Sequence, residues 1–282
     1  MTFGYLLIVS SHNTVDYVKM AYALALSIKN TQKSGYDKVA LVIDDKSKLN
    51  SITSQWVFDT VIEWKEQQYW DGRSWMDQLS PWDATVCLDV DMLFFDDISH
   101  QIDYFLNSDT ELFLPSTVYT YRNTKITSDF YRKTFTANDL PNIYSMFTFF
   151  KKDSELATDF FNLGRYIIQY PLEFKNSFLS AYVPQVVGTD EAFALSAKIL
   201  DIQDVITYDL LFPRIVHLKS MLQDWPWPAS DVFDHVGFYF DLQGQLKIGN
   251  FQQHQIVHYV DKHIITDEHI SILENIAWKT NI

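Results

Sequence analysis

The run Ala84-Thr85-Val86-Cys87-Leu88-Asp89-Val90-Asp91-Met92-Leu93-Phe94-Phe95 constrains the fold most: an apolar strand stops at two carboxylates one residue apart, and a second apolar run follows. An uninterrupted apolar run of this length fits a strand buried on both faces, as in parallel sheets. On an extended backbone, residues two apart project from the same face, so Asp89 and Asp91 aim at one point. Bringing two like charges together beside a core costs free energy unless something cationic meets them. A hard divalent ion, Mg²⁺ or Mn²⁺, suits two carboxylates and is commonly completed by phosphate oxygens.

The 282 residues make one domain, and at 47% hydrophobic they suffice for a substantial core. Phe and Tyr dominate a 16% aromatic share, but such rings fill cores as readily as they line sugar-binding surfaces, so they identify no site alone. With 22 Lys and Arg against 36 Asp and Glu the formal charge is −14, and no Lys/Arg-rich run occurs. That argues against a surface that tracks nucleic-acid phosphates. A chain this acidic needs local compensation to bind a nucleotide diphosphate, which a metal ion supplies. Cys87 is the only cysteine, which rules out an intrachain disulfide, suits a reducing compartment and reads as an inert buried thiol. The first ten residues show no basic segment or cleavage pattern, and no stretch approaches the ~18 apolar residues of a membrane span. The expectation is a cytoplasmic protein without a membrane span.

Along the chain, Phe3–Val9 reads as a buried strand, 15–29 as a helix with apolar positions Val18, Ala21, Tyr22, Ala25 and Ile28, and 38–43 as a second strand ending in Asp44-Asp45. A short strand is expected at 57–62 and a helix at 69–82 with Pro81 at its exit, before the acid-terminated strand. This alternation indicates an α/β fold with a largely parallel sheet flanked by helices. Further on, a helix is expected at 98–106, a strand at 111–115, a surface excursion at 117–139, a strand at 142–151, and helices at 154–170 (Ser154 as N-cap) and 189–200. Trp225-Pro226-Trp227-Pro228 suggests a rigid aromatic loop, 236–248 a hairpin about Gly244, 257–259 a strand and 266–278 a terminal helix. No repeat or linker divides the chain.

The order of these pieces resembles the GT-A class of nucleotide-sugar glycosyltransferases, nearest the glycogenin and lipopolysaccharide-galactosyltransferase group. Tyr17 to Lys29 looks like that group's first helix, and Leu88-Asp89-Val90-Asp91-Met92-Leu93 like its D-x-D strand. The segment Asn142-Ile143-Tyr144-Ser145-Met146 stands where the group has Asn-Ser-Gly, with the Gly absent. Asp190-Glu191 is placed like its Asp-Gln or Asp-Glu, and Val257-His258-Tyr259-Val260-Asp261-Lys262 looks like a shortened His-x-x-Gly-x-Lys element. The resemblance is good to about Asp97 and weakens beyond Leu200. It implies a GT-A fold, with a nucleotide-binding half over 1–110 and an acceptor and sugar half over 111–282.

It also implies a UDP-sugar donor, a metal-dependent transfer to an acceptor hydroxyl, and retention of anomeric configuration. Asp89 and Asp91 would be metal ligands, with His258 as the third; His217, which also ends a strand-like run, is the alternative. Lys262 and Lys219 are candidates for the diphosphate oxygens, against the reading as solvated lysines. Arg73 is placed near the donor by the family pattern, or else pairs with Asp71 or Asp77. The nucleoside end is expected beyond the carboxyl ends of the first two strands, at Ser10, Ser11, His12, Asn13, Asp44 and Asp45. Asp44 also fits a turn acid or helix cap. Asp190 stands by the reacting sugar on family position, or serves as an N-cap. Trp225 and Trp227 suit acceptor stacking or core packing equally. Two other classes stay open: a metal-dependent phosphohydrolase and an inactive nucleotide-sugar-binding module. The acceptor, whether a glycan, a lipid-linked sugar, a protein hydroxyl or a modified DNA base, is not encoded in any motif.

Overall fold

The computed structural model describes residues 1–52, 55–65, 72–126, 132–207, 212–218, 237–259 and 261–280. In chain order the first part contains β1 (Phe3–Val9), α1 (Tyr17–Thr31), β2 (Val39–Ile43), β3 (Thr60–Glu63), α2 (Met76–Leu79), β4 (Ala84–Leu88), β5 (Met92–Phe94), α3 (Ser99–Asn107) and β6 (Leu112–Phe113). There follow α4 (Lys133–Ala137), β7 (Phe147–Lys151), α5 (Glu155–Gln169), α6 (Pro171–Phe178), α7 (Thr189–Ile199) and α8 (Gln203–Ile206). The last part contains β8 (Ile215–His217), β9 (Phe238–Phe240), β10 (Leu246–Ile248), β11 (Phe251–Gln252), β12 (Ile256–His258) and a C-terminal helix, Asp267–Thr280.

The central sheet has the order β3-β2-β1-β4-β7-β6, parallel except for β7, which runs against both neighbours. Every residue of β2 and β4 is buried, which accounts for their unbroken apolar sequences. Along β1 the side chains alternate between faces. Tyr5, Leu7 and Val9 pack with α1 and the C-terminal helix, while Leu6 joins Phe160 and Phe161 of α5 and Phe193 of α7. Helices thus cover both faces, and the observed α/β class is the expected one. Because α1 lies between the sheet and the C-terminal helix, Met20 through Ile28 are all buried; Asn30 Nδ2 donates to Leu273 O (3.0 Å) across that contact.

The topology places the site. From β1 the chain winds outward to β2 and β3, then returns to β4 on the other side of β1. Such a reversal opens a crevice at the carboxyl ends of the two middle strands, where open α/β sheets bind ligands. A second sheet, β5-β12-β8, lies just past β4: His258 pairs in register with Met92 on one side and His217 on the other. The third sheet, β11-β10-β9, contains the expected hairpin, with Gly244 at φ +76°.

Three expectations need correction, and one helix was not anticipated. The helix expected at 69–82 is a 3₁₀ turn, Gly72–Trp75, followed by one turn of α2, with Pro81 just beyond; 69–71 lie outside the described residues. The strand expected from Asn142 begins only at Phe147, and the segment before it lines the site instead. The excursion at 117–139 is not confined to the surface: Val118, Ile126, Arg132 and Phe135 are buried, and Tyr119 bridges to Val216. The unanticipated helix, α6, begins with Pro171 at its first position. Lys219, Trp225 and Trp227 lie outside the described residues. No helix among the described residues is long and apolar enough to cross a membrane.

Candidate active site

Asp89 is the first residue past β4, and its N–H still bonds to Met146 O (2.9 Å). Val90 and Asp91 then form a turn before β5. The two carboxylates therefore meet through a turn, not through alternation on an extended strand as the sequence suggested. Tyr259 N donates to Asp91 O (2.9 Å), tying the turn to the end of β12 and bringing His258 beside it.

His258 Nε2 lies 3.2 Å from Asp91 Oδ1 and 3.9 Å from Asp89 Oδ2. The outer oxygens are held by cations: Asp89 Oδ1 accepts from Arg73 at 2.6 Å, and Asp91 Oδ2 pairs with Lys262. Lys262, expected at diphosphate oxygens, thus meets a carboxylate here, and Arg73 pairs with Asp89 while Asp77 pairs with Arg165 (2.7 Å). One ligand atom from each of Asp89, Asp91 and His258 lies within 4.8 Å of the others. Two carboxylates and an imidazole at these separations fit a divalent ion after a small contraction. His217 does not join this cluster; its ring stacks on His258, centroids 4.7 Å apart. The other nitrogen of His258, Nδ1, lies 2.8 Å from Met146 Sδ.

The two aspartates differ electrostatically. Burial pushes the Asp91 carboxyl up, but His258 and Lys262 outweigh it and hold the group well below the usual carboxylate range. For Asp89 burial prevails over Arg73, and the charge of Asp91 adds to it, so its pKa is raised. Burial lowers the Arg73 pKa, but Asp89 and Asp190 more than reverse this and keep it charged. The Cys87 thiol, buried behind the pair, is pushed up to about 12 by burial and is inert.

Two clefts meet at this cluster. The first, ≈340 Å³, runs toward the β1 loop and is lined by Ser10, His12, Tyr17 and Lys262 as well as Arg73 and both aspartates. The second, ≈390 Å³, shares Arg73 and the aspartates and continues to Arg132, Tyr144, Asp190, Glu191, His217 and His258. Ser11 and Asn13 line an adjoining depression that shares Ser10, His12 and Tyr17 with the first cleft and reaches Ser47 and Lys48. Asp44 binds the β1 loop: Oδ2 accepts from Ser11 N (2.8 Å) and Oδ1 from Ser11 Oγ (3.0 Å). Asp45 caps the 3₁₀ turn Lys46–Ser51 by accepting from Ser47 N (2.9 Å).

Asp190 is not the cap of α7. Gly188 holds that position, and Glu191 Oε2 accepts from its N–H (3.1 Å). Asp190 Oδ2 pairs with Arg132 (2.8 Å), while Oδ1 accepts from Ser145 N (2.9 Å) and Ser145 Oγ (2.6 Å). Burial would raise its pKa, but Arg132, the Ser145 hydrogen bonds and Arg73 together lower it to about 2. Burial, then the charge of Asp190, raises the pKa of Glu191. Arg132, Ser145 and Met146 were not anticipated as site residues. Ser145 lay within the segment resembling Asn-Ser-Gly, whereas Arg132 carried no motif.

No family model and no curated protein matches the chain. Among solved structures, mouse xyloside xylosyltransferase 1 in its apo form is similar over 91% of this chain and 97% of that protein, at 13% identity and a TM-score of 0.49. The glycosyltransferase GlyE of Streptococcus pneumoniae TIGR4 is similar in its apo form over 99% of this chain, at 12% identity and a TM-score of 0.48. A second GlyE structure gives 11% identity and a TM-score of 0.48. This chain spans 63% of the GlyE chain.

Proposed function

We propose that this protein is a metal-dependent glycosyltransferase that moves a sugar from a nucleotide diphosphate donor, a UDP-sugar, to an acceptor hydroxyl. One observation carries the reading: Asp89, Asp91 and His258 turn ligand atoms toward one another where two clefts meet, at the carboxyl ends of β1 and β4. The GT-A resemblance of the same residues supports it. Asp89, Asp91 and His258 would hold a divalent cation, Mn²⁺ or Mg²⁺, which would supply Lewis-acid charge to the departing diphosphate. Lys262 and Arg73 add positive charge beside it. The nucleoside occupies the first cleft, against Ser10 and Tyr17, and the sugar the second.

Asp190 stays ionised at neutral pH because its carboxyl is held at about 2. A group so acidic is a poor proton acceptor. It suits accepting hydrogen bonds from sugar hydroxyls and countering positive charge at the reacting carbon, which agrees with the retaining chemistry implied by the resemblance. A phosphohydrolase built on two metals needs a second ligand cluster, and none occurs among the described residues. The test is UDP release from a panel of hexosyl and pentosyl UDP-sugars with and without Mn²⁺. Slow Mn²⁺-dependent UDP release from at least one donor is expected. Release of inorganic phosphate instead, or no product at all, would sink the proposal.

A further inference from the structure

The chain keeps a buried cation where an apolar side chain would pack. Only 4% of the Arg132 side chain is exposed, and its guanidinium carbon lies 3.7 Å from the Phe135 ring centroid and 4.2 Å from that of Tyr144. One arm of the fork donates to Asp190 Oδ2, the other to Ile143 O. Nε has no hydrogen-bond partner among the described residues, and burying such a donor unpaired is costly. Replacing a buried ion pair by well-packed apolar groups is often neutral or stabilising. Stability alone therefore gives little reason for an arginine here.

Its place in a network gives one. Ser145 Oγ donates to Asp190 Oδ1 and accepts from Arg73 (3.0 Å), and the same Arg73 nitrogen donates to Asp89 Oδ1. A continuous chain of hydrogen bonds thus runs from the ligand cluster through Arg73, Ser145 and Asp190 to Arg132. Asp190 stands between two guanidinium groups. Arg132 takes the oxygen that Ser145 does not, leaving Arg73 to Asp89. Without Arg132, Asp190 keeps only its two Ser145 hydrogen bonds, and its attraction for Arg73 competes with the Arg73–Asp89 pair, so the carboxylate and Arg73 are held less firmly.

The geometry points to Arg132 as a positioning residue of the transfer reaction: clamped by Phe135 and Tyr144, it fixes the Asp190 carboxylate in the second cleft and keeps Arg73 on Asp89. It acts through Asp190. This inference rests on the glycosyltransferase reading above. An angle error in a group beside the reacting sugar lowers turnover more than it lowers binding.

The experiment compares the wild-type chain with Arg132→Met and Arg132→Lys, using the UDP-sugar that wild type hydrolyses fastest in Mn²⁺. In Arg132→Met kcat is expected to fall roughly 10–100-fold, the range seen when a supporting partner is lost. Donor KM, and Mn²⁺-dependent UDP affinity by calorimetry, are expected to stay within about 3-fold, and Arg132→Lys to recover part of kcat by restoring the charge. A second readout is the Asp190 carboxyl carbon by NMR, assigned with Asp190→Asn. It should not titrate between about pH 8 and pH 4 in wild type and should begin to do so in Arg132→Met. Unchanged kcat per folded molecule would overturn the inference. So would a raised KM at constant kcat, the mark of a group that grips substrate. If Arg132→Met does not fold, Arg132→Lys decides by the same split of kcat from KM. If wild type turns over no UDP-sugar, the parent reading fails, and the NMR titration still judges the hold of Arg132 on Asp190.

Discussion

β2 and β4 are strands of one sheet, each five residues long and wholly buried, and each is followed by aspartates. The two acid pairs end in different states. Asp44 is satisfied by the N–H and hydroxyl of Ser11, and Asp45 by the N–H of Ser47 two residues on. These are neutral donors from adjoining loops, and they make structural latches. Asp89 and Asp91 are held instead by charged groups from distant positions, Arg73 sixteen residues away and Lys262 171 residues away, with His258 between them. A carboxylate closed by backbone N–H groups has nothing to exchange. One balanced by charged side chains can share that compensation with a metal ion and the oxygens of a phosphate. The strand-then-acid pattern is shared; the source of the compensating charge separates the two.

The sharpest way to break this comparison is to treat the pairs alike. Asp91→Ala is expected to lower Mn²⁺-dependent turnover of the donor by on the order of 10²–10³-fold, the cost of removing a principal charge-stabilising group. UDP affinity should lose its dependence on Mn²⁺, measured by calorimetry with and without the ion. Retained Mn²⁺-dependent affinity would move the metal site elsewhere. Next in size, His258→Ala should weaken Mn²⁺ retention by at least the roughly 10–100-fold that loss of a ligand's supporting partner costs. His217→Ala should weaken it less, because His217 stacks on His258 outside the ligand cluster. The reverse ranking would give the third-ligand role to His217.

What the sequence could tell follows the same division. The buried strands were legible because parallel strands covered on both faces must be apolar throughout, as in Val39–Ile43 and Ala84–Leu88. Ser154 as N-cap and the hairpin about Gly244 were legible because their chemistry is local: Ser154 Oγ accepts from Ala157 N, and Gly244 adopts a positive φ. The juxtaposition of Asp89, Asp91 and His258 was anticipated only through family resemblance, since β12 reaches β5 from far along the chain. Arg132 was not legible at all. Phe135, Tyr144 and Asp190 surround it from three segments, and nothing in an aperiodic stretch marks one arginine as buried. Asn142 to Met146 looked like strand because its apolar residues face the interior, but its backbone curves past Asp190 to supply Ser145.

On the β2 side the expected effects are smaller and fall on stability. Asp44→Ala leaves the Ser11 N–H and hydroxyl without their acceptor and should cost about 1–2 kcal/mol by denaturant unfolding. By loosening the β1 loop it should weaken UDP binding only a few-fold. A loss of UDP affinity as large as that of Asp91→Ala would instead mean that Asp44 meets the nucleoside.

The smallest effect belongs to Asp45, which is half-buried and whose work is confined to one turn. Hydrogen bonds from the side chain and then the backbone of Ser47 lower its pKa from the ordinary value of 3.8. The sign follows from that direction. A carboxyl more acidic in the folded chain stabilises it above pH ~4, where both states are ionised, and this contribution is lost as pH falls through the folded pKa. Asp45→Ala should therefore melt slightly below wild type at neutral pH, with the gap closing in acid and UDP affinity unchanged. A gap that persisted once the Asp45 carboxyl is protonated would assign its contribution to something other than the ionised cap, and a fall in UDP affinity would erase the contrast between the two acid pairs.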